Sequence, residues 1–347
     1  MKPNQVIDKE QIKKLLALDP FIKYWADNYK ENIEKRVFGW ERSRPLLFLK
    51  NMMPYSHVPV VLVAAGPSLD KNLHILKDYQ DKCIICCVDV VVFKLLKEGI
   101  KPDFVINIDP HPEVAIGWTD DNGNQIDTSD LVLVCPTTNS YANLTSWKGN
   151  IIFYNQSDDK RNHKGPFLEK LTRPTSGFGT IANSFFIGAT MYQFASMFVP
   201  SAIILMGYDF AYTDNKPFCS GIVERKARLQ VKELYGDKTT DELVAKQTED
   251  LTKHLLQSSN LEAKVGSTGI IKTSELFRLY LNTLLGLIKI YRFPVINATE
   301  GGILVNVPNF SLKDSLNHCC KPSIKKYNIF DKGFIIASLK SRRRRRK

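Results

Sequence analysis

The sequence predicts an α/β fold built on a mostly parallel, doubly wound sheet, with an N-terminal helical extension and a helical insertion. Three observations predict it. Short apolar runs rich in Val, Ile and Leu stop abruptly at turn residues, the mark of strands buried on both faces. Helical periodicity alternates with these runs, which is the rhythm of strand–helix–strand units and hence of parallel pairing. Strand after strand ends in a glycine, an acid or a short polar turn, as open parallel sheets do at the carboxyl edge where they hold ligands.

Residues 1 to 55 mix helical spacing (Ile12, Leu15, Leu16, Leu18) with aromatics at Phe21, Tyr24, Trp25, Tyr29, Phe38 and Trp40, and read as a helical extension packed on the sheet. The main domain, 56–310, opens with VVLVAAGPSLD at 60–70. Ala64, Ala65 and Gly66 keep side chains out of the way, Pro67 sets φ for a first helical turn, and Ser68 or Asp70 can cap it. CIICCV at 83–88 is a second strand ending at Asp89, and a helix through Phe93, Leu95 and Leu96 closes at Gly99. FVINI at 104–108 is a third, ending in Asp109, Pro110 and His111. Strands follow at 131–135 and 151–154, then a charged loop at 157–174. PTSGFGT at 174–180 leads into an expected helix over 181–198. ILM at 204–206 ends a sixth strand, with GYDFAYTD directly after it. Residues 215–269 turn charged and weakly helical, an insertion that covers the site. A helix is expected over 273–291, and a last short strand at 293–297 ends in NATEGG. Residues 311–347 form a C-terminal extension with a basic tail.

Composition narrows the class. The chain has 347 residues, 44% hydrophobic and 24% charged, values of a globular protein. No apolar stretch reaches the eighteen or so residues that cross a bilayer, and the N-terminus shows no signal-peptide core. Seven cysteines without a secreted framework indicate a reduced, cytoplasmic protein. Of the net charge of +12, the closing RRRRRK supplies half, suited to anionic surfaces or to no specific partner. No GxSxG elbow, P-loop or zinc-spaced cysteine set occurs, which removes serine hydrolases and P-loop NTPases.

Each candidate site residue has a structural reading beside the functional one. Gly66, Pro67 and Ser68 can hold a phosphate on turn amides, or form only a tight βα connection. Asp89 and Asp109 can bind ribose or a metal, or cap the next helix. Ser176, Gly177 and Thr180 begin the expected helix and can take a second anion, or serve as an N-cap. Gly207 permits close backbone approach and Asp209 offers an acceptor for base or sugar hydroxyls, while Tyr208 and Tyr212 either stack on a base or belong to the core. Asn297, Thr299 and Glu300 stand at a strand end, with Glu300 either a general base or the holder of a loop amide. His111 is the leading base, ahead of His163. Arg161 and Arg173 can pair with phosphate or lie idle on the surface.

The runs VAAGPSLDKNL, GIKPDFVINIDP, PTSGFGTIANSFFIGA, IILMGYDFAYTD, TSELFRLYLNTL and INATEGGILV together resemble, in the same order over residues 57–305, the domain shared by archaeal 6-hydroxymethylpterin diphosphokinases (MptE) and the motility accessory factors (Maf) of bacterial flagella. PTSG and GYDF are also similar, more weakly, to bacterial sialyltransferases. The resemblance implies a Rossmann-like nucleotide-binding transferase domain and two activities. The pterin branch transfers pyrophosphate from ATP with magnesium. The accessory-factor branch attaches nonulosonic acids from CMP-activated donors to flagellin hydroxyls. The pterin branch implies acidic TDLDG and HAHGDN-like runs; here INIDPHP and LVCPTTNSYANL stand instead, leaving Asp109, and with it Asp89, for any magnesium. That departure favours a Maf-like glycosyltransferase with a CMP-sugar donor and a hydroxyl acceptor on protein or glycan. The alternatives are the ATP-dependent diphosphokinase and a noncatalytic nucleotide-binding protein.

Overall fold

In the computed structural model of the protein, the described residues are 20–52, 58–112, 117–157, 167–184, 186–257, 261–266, 269–303 and 306–320. The expected helix around Leu15, the residues Arg161 and His163, and the arginine-rich tail lie outside them.

Among the described residues nine strands form one sheet, and every neighbouring pair in it is parallel. They are β1 (Ser43–Pro45), β2 (Val60–Val63), β3 (Ile84–Val88), β4 (Phe104–Ile106), β5 (Val132–Pro136), β6 (Asn150–Ser157), β7 (Thr180–Ala182), β8 (Ile203–Met206) and β11 (Val295–Asn297). A separate antiparallel hairpin joins β9 (Leu261–Gly266) to β10 (Gly269–Ser274). The order across the large sheet is β1-β6-β5-β4-β3-β2-β8-β11, with β7 beside β6. Strands β2, β3 and β4 are buried along their whole length, as central strands covered on both faces must be.

The helices are α1 (Pro20–Glu34), α2 (Leu69–Asn72), α3 (Val92–Lys97), α4 (Tyr141–Ser146), α5 (Phe167–Leu171), α6 (Ile187–Ser196), α7 (Ile222–Tyr235), α8 (Asp241–Gln257), α9 (Glu275–Tyr291) and α10 (Leu312–Cys319). Helix α1 lies across the carboxyl ends of β4 and β5, held by two asparagines one turn apart. Asn28 donates to the carbonyls of Pro110 and Thr138, and Asn32 to those of Thr137 and Asn139, at 2.8–3.1 Å. These loops would otherwise leave carbonyls unpaired under a buried helix. The Arg42 guanidinium does the same for the end of α4, donating to the carbonyls of Leu144, Trp147 and Gly149.

Two expectations need correction. PTSGFGT does not open a helix: residues 173–178 form a 3-10 turn, Thr180–Ala182 is strand β7, and helix α6 starts only at Ile187. The helix expected from residue 273 starts at Glu275, because Ser274 is its N-cap, accepting from the Phe277 amide at 3.2 Å. The described residues of 215–269 hold the helical hairpin α7–α8, packed on itself through Ala227, Val231 and Val244, followed by β9 and the start of β10.

Candidate functional site

The strand order reverses between β2 and β8: successive strands from β2 run one way across the sheet, while β8 and β11 lie on the other side. Such a switch point leaves a crevice beyond the carboxyl ends. Here it opens into a cleft of about 1010 Å³. Its floor is made by the turns after β2, β3, β4 and β8, one wall by Phe186, Phe277 and Tyr280, and its roof by α7 and α8; Tyr24 of α1 closes one rim. Phe186 and Tyr280 stack nearly parallel at 4.5 Å.

Three of the expected strand-end turns meet at this switch point, yet they bind one another. Asp209 is 2% exposed and its carboxylate accepts from the Ser68 hydroxyl (2.6 Å), the Ser68 amide (3.2 Å) and the Thr213 hydroxyl (2.5 Å). Burial raises its pKa, against the pull of those donors. The glycines serve this knot. A Cβ on Gly66 would fall 1.9 Å from Asp209 Oδ1, and one on Gly302, which has φ +70°, would fall 2.1 Å from the Asp209 carbonyl oxygen. A Cβ on Gly207, at φ +69°, would fall 2.5 Å from the Ala64 carbonyl oxygen. The expected phosphate cradle at Gly66, Pro67 and Ser68 is corrected accordingly. The Gly66 amide donates to Gly207 O (2.9 Å), Ser68 N–H is held by Asp209, and the amides of Leu69, Asp70 and Lys71 bond back within the turn at 2.9–3.2 Å. Pro67 has no N–H to offer.

NATEGG completes the knot rather than facing a ligand. Asn297 bonds Asn309 (2.6 Å) and receives the Thr299 amide, and the Thr299 hydroxyl receives the Tyr208 amide (3.2 Å). Glu300 Oε1 accepts from Asn72 (3.0 Å) and from the Leu312 amide (2.7 Å) at the start of α10. Oε1 thus holds a loop amide, one of the two roles expected of Glu300. Tyr208 is buried and donates to the Gly188 carbonyl at 3.1 Å. Tyr212 is buried against Phe277.

Ser176, Gly177 and Thr180 stand elsewhere. The amides of residues 151 and 155 on β6 point to one side, the first to Arg42 and the second to Gly179, so β7 runs on the outer flank beyond β1. Five strand spacings of ~4.8 Å separate it from β2, roughly 24 Å. These residues share the carboxyl edge of the sheet but do not line the cleft, and Arg173 is exposed beside them.

The acidic floor is different. Asp89 is buried, accepting from Asn107 Nδ2 (2.6 Å) and from the Val90 amide (2.9 Å). Asn107 in turn accepts from Asn139 (2.5 Å), Asn139 from Asn143 (3.1 Å), and Asn143 also donates to the His111 carbonyl (2.8 Å). This relay of buried amides ties the Asp89 turn to the loop carrying Asp109 and His111. Burial, with the Asp109 charge nearby adding to it, pushes the Asp89 carboxyl up to about 6. Because the folded value exceeds the unfolded one, its contribution to stability is complete below about pH 4 and is lost as pH rises through 6. Asp89→Asn is therefore expected to flatten a fall in unfolding free energy of about 3 kcal/mol between pH 4 and 7, while losing one of the two accepted hydrogen bonds. Urea unfolding of both proteins at the two pH values measures it; identical pH slopes would overturn the assignment.

Half-exposed Asp109 accepts with Oδ1 from the His111 amide (2.9 Å) and pairs with His111 Nδ1 (2.6 Å), and the imidazole lies 4.5 Å from the Tyr24 ring. A carboxylate on Nδ1 orients the ring and favours the tautomer whose Nε2 can accept a proton. The cleft lining also holds four polar residues that sequence reasoning missed, Tyr24, Tyr280, Lys226 and His254. The last two sit in a charge-rich stretch where nothing in the pattern separates a lining cation from a solvated one.

Fold and site together define a Rossmann-like α/β protein with a cleft at the topological switch point of its sheet. The family model described as 6-hydroxymethylpterin diphosphokinase MptE-like matches residues 28–215, and the chain belongs to that family. The structure of the MAf glycosyltransferase from Magnetospirillum magneticum AMB-1 is similar, with a TM-score of 0.52 at 15% identity, covering 82% of this chain and 37% of that one. This chain thus spans little more than a third of that protein's length. No curated protein matches it in sequence.

Proposed function

We propose that the protein is a nucleotide-dependent transferase that moves a sugar from a CMP-activated donor of the nonulosonate type to a hydroxyl on a protein or glycan. The observation that carries this reading is the Asp109–His111 pair at the edge of a cleft large enough for a nucleotide-sugar. In the reaction, His111 Nε2 takes the proton of the acceptor hydroxyl. The acceptor oxygen bonds to the anomeric carbon as the bond from that carbon to the phosphate oxygen breaks, and its electron pair leaves on CMP. Asp109 keeps the imidazole oriented and stabilises the imidazolium that forms. Asp89 is the candidate for donor hydroxyls from the floor.

The family's description supports a second reading, pyrophosphoryl transfer from ATP to a pterin alcohol. Magnesium is commonly bound through one or two carboxylates and the substrate phosphates; Asp109 and Asp89 would hold it here and it would supply charge neutralisation at the phosphates. The donor set is thin: among the described residues no three His, Cys, Asp or Glu side chains come together, Asp109 Oδ1 is engaged with His111, and Asp89 accepts two hydrogen bonds. A third reading is nucleotide binding without turnover.

Thermal unfolding with CMP, UDP and ATP, each with and without magnesium, separates them. CMP is expected to raise the melting temperature with no metal present. Stabilisation by ATP alone, and only with magnesium, would overturn the glycosyl reading in favour of the second. CMP-sugar binding with no donor consumption in the presence of acceptor would leave the third. We place the protein in the cytoplasm, since none of its seven cysteines is in a disulfide and six of them are buried; among the described residues no helix is long and apolar enough to cross a membrane.

A further inference from the structure

We infer that the anionic group of the ligand is held by the roof of the cleft, on Lys226 of α7 and His254 of α8, and not by the strand-end turns beneath; the inference rests on the transferase reading of the same cleft. The floor repels an anion or has nothing to give it. Asp89 and Asp109 are both there, and the amides of the turn after β2 are engaged within the protein from Gly66 to Lys71. The lining side chains that can offer a nitrogen-borne hydrogen to an anion are His111, Lys226 and His254. His111 is paired with Asp109. The side chains of Lys226 and His254 have neither a hydrogen bond nor an ion pair with any described residue, whereas Arg228 on the same hairpin pairs with Asp241 at 2.8 Å.

Helical spacing explains how both side chains reach the lining. Ile222, Val223 and Lys226 share one side of α7, and Leu251, His254 and Leu255 one side of α8, so each helix brings a single nitrogen donor to the cleft beside apolar neighbours. The roof is also anchored. Buried Arg225 donates to the Val90 carbonyl at 2.6 Å and lies over the Phe93 ring, tying α7 to the turn that carries Asp89. Asp70 accepts from the Ser220 amide and hydroxyl at 3.0–3.1 Å and pairs with Lys94 at 2.8 Å, fixing the entry to α7 on the turn after β2. Because these ties hold Lys226 and His254 opposite the acidic floor before any ligand arrives, the site is preorganised for a phosphate above and hydroxyls below. The ligand class is a phosphate ester or diphosphate, as in a nucleotide-linked sugar.

The test uses the full chain with CMP, cytidine and inorganic pyrophosphate as probes, titrated by calorimetry at low and moderate salt. Lys226→Met and His254→Gln are expected to weaken CMP roughly tenfold each, and the double variant more. The steep salt dependence of the wild type should fall with them, and cytidine, which has no phosphate, should bind all of them alike. Both side chains are exposed, so unchanged melting temperatures without ligand confirm that folding is intact. CMP binding to the double variant as tightly as to the wild type would overturn the inference and leave the transferase reading standing. If no nucleotide binds the wild type, that reading fails; pyrophosphate binding lost in the double variant would still support the roof site, and pyrophosphate binding that is absent or unaffected would overturn it.

Discussion

Alanine at position 111 is expected to lower transfer to the acceptor roughly 10²- to 10⁴-fold while leaving donor affinity within about twofold. The side chain removed is the imidazole that a carboxylate orients through its first ring nitrogen, Asp109 Oδ1 at 2.6 Å from Nδ1. Asp109→Asn should do part of the same damage with the imidazole still present, because an amide can present its N–H to Nδ1 and so favour the wrong tautomer. Single-turnover rates with a CMP-sugar, measured against pH, distinguish a base from a mere contact: the wild-type rate should rise through a single acidic limb that His111→Ala lacks. A His111→Ala protein that transfers at the wild-type rate would remove this residue from the mechanism.

The second large effect is on folding. Gly66→Val is expected to cost about 3 kcal/mol or more and to abolish ligand binding, because the new side chain would occupy the space of the Asp209 carboxylate and the Gly207 carbonyl, 1.9 and 2.5 Å from a Cβ there. Moving Asp209 away strands the Ser68 and Thr213 hydroxyls in a buried site, each at about 1–3 kcal/mol. Chemical denaturation measures the loss. A cycle with Asp209→Ala adds a sharper expectation: the double variant should be much less impaired than the sum of the singles, since both act on one contact. Simple additivity would show that the knot is not the reason for glycine at 66.

Much of this architecture was legible beforehand because burial on both faces writes itself as uninterrupted apolar runs. VVLV, IICCV and IILM could hardly be anything else, and the acids and glycines after them located the carboxyl edge. Strands without such a run were invisible: β1 is Ser-Arg-Pro at the sheet margin, and β7 is Thr-Ile-Ala with exposed ends. Convergence of the turns was readable, but their partners were not. Ser68, Asp209 and Glu300 are polar residues at strand ends, and nothing local tells whether such a group faces a ligand or another turn. Here it is the distance in sequence, 141 residues between Ser68 and Asp209, that hid the answer. Asn107 and Asn139 were passed over for a related reason, since an asparagine signals a turn far more often than a buried relay.

The thiols of the central strands have a practical consequence. Cys86, Cys87 and Cys135 are wholly inaccessible, on β3 and β5 to either side of β4, and burial pushes the Cys87 and Cys135 thiols well up. An alkylating reagent reacts with thiolate and must reach it, so these three sulfurs are sealed against labelling until the middle of the sheet parts. Their rate of modification is a built-in clock for that opening, and a ligand seated at the switch point should slow it.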